Sequence, residues 1–266
     1  MPLAAQERTI PLLISDHHAD HMEFFFSYGM NTSATMIVLD AHTDTVANNQ
    51  RDTIRDFASA GDFSKAGELA GNHNWIDPLA PFPLKALIWI STIQGYPRSD
   101  KLSGFQKSMT SWDEQIPAIF MSVEELKVFK IPESNQHPES KTLFISIDLD
   151  FFYSEDYGPH NISAVFDTLF TFSSNWNGFV VWAISLSRPW LPYDNYAWEL
   201  LAQSLSWLLY HQEFQAPKIT LFNSPRIDTS FNAQAFRAEG KEIPVLQEEN
   251  VPKQIKEFLR ELSHRK

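Results

Sequence analysis

The chain contains no cysteine. That excludes disulfides, thiolate-held zinc and cysteine nucleophiles, and it suits a reducing cytosol. Basic residues are few: 21 Lys and Arg stand against 33 Asp and Glu, for a net charge of −12. So acidic a chain is ill suited to a phosphate backbone, and nucleic acid is not expected as a partner. The same charge favours a cationic or neutral substrate, although scattered acids also serve solubility. Long apolar runs are missing too. The longest, such as Phe179 to Leu186, fall far short of the roughly 20 residues a membrane-spanning helix needs. The N-terminus, MPLAAQERTIPLLIS, lacks a basic region followed by an apolar run and a cleavage site, so a cytoplasmic protein without a signal peptide is expected. No repeat or low-complexity tract interrupts the chain. Its 266 residues, 43% of them hydrophobic, suit a single domain over 1–266 with a sizeable core.

What is present is an alternation of apolar runs with helical patterns. Strands are predicted at Thr9–Ser15, Thr35–Asp40, Leu84–Ser91, Lys141–Asp148, Gly178–Ser185 and Lys218–Asn223. Helices are predicted at Ala19–Tyr28, in part of Gln50–Ala70, and at Ile162–Ser173, Asn195–His211 and Val251–His264. Apolar strands separated by helices predict an α/β fold of three α-β-α layers with a mainly parallel central sheet. Tyr96–His137, rich in Pro and Ser, reads as irregular and suits lid or substrate-binding loops. In such a sheet ligands bind at the carboxyl ends of the strands.

Two acidic clusters fall there. Asp40-Ala41-His42-Thr43-Asp44 follows TMIVL, and Asp148-Leu149-Asp150 follows TLFISI. At i, i+2 and i+4 on extended chain, Asp40, His42 and Asp44 share a face. Either cluster alone is also what strand-end caps look like. Both together are harder to explain so, because burying that many carboxylates without cations costs several kcal/mol each. A divalent metal resolves the conflict. Oxygen-rich donors with one or two imidazoles and no sulfur suit Mn²⁺, Fe²⁺ or Zn²⁺. A pair of such ions supplies an activated water for hydrolysis.

VLDAHTD followed by SIDLD resembles the metal signature of the arginase–deacetylase superfamily, and most closely its binuclear ureohydrolase branch. The resemblance implies an arginase-like metal-dependent C–N hydrolase holding two Mn²⁺, with Fe²⁺ or Zn²⁺ as less favoured ions. It also implies a further ligand histidine ahead of a helix near the N-terminus. Ser15-Asp16-His17-His18-Ala19-Asp20 occupies that place; His18 is favoured and His17 stays open. One metal would take His18 or His17 with Asp40, Asp44 and Asp148, and the other Asp40, His42, Asp148 and Asp150. The single-zinc deacetylase branch does not need the full set, so Asp44 and Asp150 favour two ions.

The chain departs from enzymes of free arginine. Their Ser-Gly-Asn-x-His segment is replaced by Gly71-Asn72-His73-Asn74-Trp75-Ile76-Asp77-Pro78. Their guanidinium-gripping Glu has no clear match, and Ser185 to Asp194 stands in its place. These departures resemble an arginase-like family that includes peptide arginases. That implies an arginine-containing, ribosomally made precursor peptide as partner, its arginine side chains becoming ornithine with release of urea. His73 is the candidate acid for the departing amine, and a backbone-bonded loop histidine is the alternative. Asp194 and Asp77 are candidates to grip the guanidinium, or helix caps. Asn74, Trp75 and Tyr193 are candidate substrate contacts, although Trp75 also suits a core. Two rivals remain open: a deacylase of an acylated amine, with Tyr193 or Tyr196 as donor, and a non-enzymatic metal-holding module.

Overall fold

β-Branched and aromatic runs fill the predicted strand positions, and they form one sheet. A computed structural model describes residues 9–42, 44–90, 116, 118–129, 140–153, 161–192, 194–215 and 218–224. Its strands are β1 (Thr9–Ser15), β2 (Ser33–Leu39), β3 (Leu84–Ile90), β4 (Ala118–Met121), β5 (Ser140–Asp148), β6 (Phe179–Ser185) and β7 (Lys218–Asn223). Its helices are α1 (Ala19–Gly29), α2 (Arg51–Ser59), α3 (Phe63–Glu68), α4 (Val123–Val128), α5 (Ile162–Ser174) and α6 (Asp194–Gln215). The strand order is β4-β3-β2-β5-β6-β1-β7, and every neighbouring pair is parallel. The predicted three-layer α/β architecture is therefore present.

The register is continuous from edge to edge. Met121, Ile90, Leu39, Ile147, Ile184, Ile14 and Asn223 lie in one row across the seven strands. Its apolar members belong to the core that Val165, Phe166, Leu201 and Leu205 of α5 and α6 cover. Because side chains alternate, the next position on each strand faces the other way. There Asp148, Ser185 and Ser15 align, turned towards the side that α1, α2 and α3 cover.

α1 lies tight against β5. A Cβ at Gly29 would come within 2.5 Å of the Phe144 ring, so only glycine permits this approach. Phe25 stacks on Phe144 with ring centroids 4.4 Å apart, and Phe25 and Phe26 are fully buried. Each such side chain contributes about 1.5–3 kcal/mol through burial. The aromatic run at 24–26 is thus mainly a packed helix face. Elsewhere caps set the helix starts. Asn161 accepts from Ala164 N–H at 3.2 Å, and Ser122 with Glu125 forms a capping box.

The predicted irregular stretch needs one correction. It contains β4 and α4, both too short for a periodic pattern to show. The predicted helix Val251–His264 lies outside the described residues. Among the described residues no helix is long and apolar enough to cross a membrane.

Candidate metal centre

The sheet order dictates where a site can form. From β2 the chain moves outward to β3, whereas from β5 it moves the other way to β6. Adjacent strands with diverging connections leave a crevice beyond their carboxyl ends. Asp40, His42 and Asp44 follow β2, and Asp148 and Asp150 close β5, so both clusters meet in that crevice. β1 delivers the third segment, Asp16 to His18, to the same edge of the sheet.

Three carboxylates converge on one imidazole nitrogen. His18 Nδ1 lies 2.7 Å from Asp44 Oδ2, 3.2 Å from Asp40 Oδ2 and 3.3 Å from Asp148 Oδ2. One N–H cannot satisfy three acceptors. Beside it, His42 Nδ1 lies 3.0 Å from Asp150 Oδ2 and 3.6 Å from Asp40 Oδ1. Asp40 thus turns one oxygen to each imidazole. Two groups able to hold a cation result, His18–Asp40–Asp44 and Asp40–His42–Asp150, with Asp40 common to both. His17 is excluded from this cluster: it is exposed, with its Nδ1 3.4 Å from the Asn72 amide.

The electrostatics demand positive charge. Burial, then the repulsion of Asp44, pushes the Asp40 carboxyl above its usual range, partly offset by His18 and His42. Burial and Asp150 push Asp148 up strongly. Burial works against a charged His18, but the charges of Asp148 and Asp40 outweigh it and hold its pKa well above the ordinary value. Bonds from Asp150 and Asp40 push His42 up to about 10. Apart from these imidazole contacts, Asp40 Oδ2 and Asp150 Oδ2 are buried with no hydrogen-bond partner. Buried carboxylate oxygens in that state, beside imidazole donors and no sulfur, fit one or two divalent cations of the Mn²⁺, Fe²⁺ or Zn²⁺ type.

A surrounding shell fixes these side chains. Trp75 donates its indole N–H to Asp44 Oδ2 at 2.9 Å. Ser187 donates to Asp148 Oδ2 at 2.5 Å. His21 Nδ1 meets Ser146 Oγ at 2.8 Å, its ring centroid 4.9 Å from that of His18. Arg188 grips Asp16 with Nε at 2.9 Å and Nη2 at 2.6 Å, tying the end of β6 to the end of β1. Among the described residues, the non-glycine positions with positive φ are Asp44 at 46° and Ser187 at 49°. Both touch the cluster. Left-handed backbone costs roughly 1–3 kcal/mol and persists where surroundings enforce it.

The remaining expected residues fall in different places. Trp75 is fully buried and Asp77 is 1% exposed. Asp77 accepts from Asn48 N–H at 2.9 Å and lies 3.9 Å from Arg51. Trp75 thus braces the candidate ligand Asp44, and Asp77 braces a loop. Asn74 Oδ1 accepts from Gly71 N–H at 2.8 Å and from Asn48 Nδ2 at 3.2 Å, closing the same loop. His73 is exposed on that loop, and its carbonyl accepts from Val46 N–H. Asp194 is the first residue of α6, with its side chain outside the described part, and Tyr193 lies outside the described residues altogether. Sequence reasoning missed Ser187, Arg188 and His21, none of which carries a spacing signal.

No protein-family model and no curated protein matches the chain. Solved structures that are similar in outline include two hydrolases. Helicobacter pylori arginase shares 13% identity at a TM-score of 0.41, covering 76% of this chain and 73% of that one. Proclavaminate amidino hydrolase from Streptomyces clavuligerus shares 12% at 0.38, covering 76% of this chain and 62% of its own. Likeness at that level assigns neither family nor activity, so the chemistry of this site rests on its own residues.

Proposed function

We propose that this chain is a binuclear metallohydrolase of the ureohydrolase type, a peptide arginase that converts arginine side chains of a ribosomally made precursor peptide to ornithine and urea. One observation carries the reading: two cation-holding groups share the single carboxylate of Asp40. The signature resemblance of residues 38–44 and 146–150 supports it, as does the acidic chain's suitability for a cationic substrate.

His18, Asp40, Asp44 and Asp148 would hold one ion, and Asp40, His42, Asp148 and Asp150 the other, with Mn²⁺ preferred. When bound, the ions supply charge stabilisation and an activated water. The protein's own part is orientation. Trp75 and Ser187 fix Asp44 and Asp148 by donating to the oxygens that face His18. Hydrolysis adds one water across the guanidinium Cζ–Nε bond, and the departing amine takes a proton. His73, exposed on the neighbouring loop, is assigned that donation.

The test is incubation of the manganese-loaded chain with arginine-containing peptides, followed by mass spectrometry. Each converted site should lose the mass of one carbodiimide unit, with stoichiometric urea. Activity confined to free arginine would sink the peptide assignment. Release of acyl groups from acylated amines by a one-zinc protein would replace it with a deacylase.

A further inference from the structure

Five of the six candidate ligands are sealed from solvent. His18, Asp40, Asp44, Asp148 and Asp150 are between 0% and 9% exposed. The exception is His42, whose side chain is 44% exposed. Any molecule reaching the cluster past these residues therefore arrives over the His42 ring. Beside that ring stands Trp190, with centroids 4.7 Å apart and planes tilted by 50°. Trp190 is itself 61% exposed, unusual for so large an apolar surface.

The indole is not loosely placed. It closes the one-turn helix Arg188–Trp190, whose preceding residue Ser187 bonds Asp148 and whose first residue grips Asp16. Trp190 N–H also bonds back to the Ser187 carbonyl at 3.0 Å. The backbone that carries this exposed indole is thus anchored at two points to the segments that build the cluster. Fixed aromatic faces at a site mouth bind flat or cationic groups, and guanidinium stacks on them better than ammonium does.

We infer that Trp190 is a specificity-determining wall, on which the planar cation of the substrate rests as it passes His42 into the cluster. The inference rests on the ureohydrolase reading for the identity of that cation. It predicts selection of arginine over lysine side chains by ring stacking, without a carboxylate clamp.

The experiment uses the manganese-loaded full chain and the Trp190→Ala, Trp190→Leu and Trp190→Phe variants. Binding of one peptide carrying arginine, lysine or the neutral citrulline at a single position is measured by calorimetry, beside kcat and KM for the arginine form and metal content by elemental analysis. Trp190→Ala and Trp190→Leu should weaken arginine-peptide binding about five- to tenfold and raise KM likewise, with kcat and metal content little changed. Trp190→Phe should restore part of the loss, and the preference over lysine should shrink in the same order. Trp190→Leu keeps apolar bulk, so a loss there isolates the aromatic face. Equal binding by all four proteins, equal loss for every peptide, or no arginine-peptide binding by the parent chain would overturn the inference. Trp190-dependent binding without hydrolysis would sink the arginase reading alone. Hydrolysis with unchanged KM in Trp190→Ala would sink the wall alone.

Discussion

Ser187, at φ 49°, places its hydroxyl 2.5 Å from Asp148 Oδ2, the oxygen that also lies 3.3 Å from His18 Nδ1. The left-handed turn thus holds an oxygen of a candidate ligand. Ser187→Ala should therefore weaken metal binding by about 10–100-fold, the usual loss when an outer partner of a ligand is removed. The unfolding free energy of the metal-free protein should change far less, by about 1 kcal/mol. Metal titration beside denaturant unfolding separates the two. Equal losses in both would mean a purely structural serine.

Asp44 belongs to the His18 group only, whereas Asp40 belongs to both groups. Asp44→Ala should retain one ion per chain in place of two, because Asp40, His42 and Asp150 stay intact. Asp40→Ala should retain none tightly. Elemental analysis after dialysis, with the Mn²⁺ electron paramagnetic resonance of coupled against isolated ions, reads the difference. Two ions in Asp44→Ala would contradict the ligand assignment.

Trp75 combines a structural load with a single polar bond. Trp75→Phe keeps most of the buried bulk and removes the donor to Asp44, so it should lower metal affinity about tenfold or more. Trp75→Ala should destabilise the fold by about 3–5 kcal/mol through the cavity left in a fully buried site. Thermal unfolding with and without Mn²⁺ distinguishes these costs.

Asp77 gives a pH dependence. Burial raises its carboxyl above 3.8, against the bond from Asn48 and the charge of Arg51. A raised folded-state pKa means that the contribution is present below the unfolded value and lost as pH rises through the folded one. Relative to Asp77→Asn, which keeps an acceptor for Asn48 N–H, the parent chain should therefore lose stability as pH rises above the ordinary carboxyl value of 3.8. Denaturant unfolding of both proteins across that range checks the sign.

Much of this was legible in the sequence because strand ends are chemically abrupt. TMIVL and TLFISI are largely apolar and each stops at an acid, so β2, β5 and the meeting of the acids at their ends could be read directly. The choice between His17 and His18 could not. His18 already has helical backbone, and consecutive side chains on a helical turn diverge by about 100°, so adjacency says nothing about which one faces the acids. Ser187 was hidden because its contact depends on a left-handed backbone at a non-glycine residue. The bonds by which Trp75 and Asp77 brace their neighbours were hidden because burial and partner, not spacing, decide which way such side chains point.

The sheet order also sets a timetable. β1 is made first, yet its neighbours are β6 and β7. The backbone N–H of Ala41 meets Asp150 across 109 residues of chain. Contacts so distant in sequence form only after much loop entropy has been surrendered. His18 gains its seat beside Asp148 once β6 separates β1 from β5, whereas Asp40, His42 and Asp150 come together at the ends of the adjacent strands β2 and β5 without β6. Of the two groups, the one around His18 is therefore completed last, when β1 docks on a sheet already joined from β2 to β6.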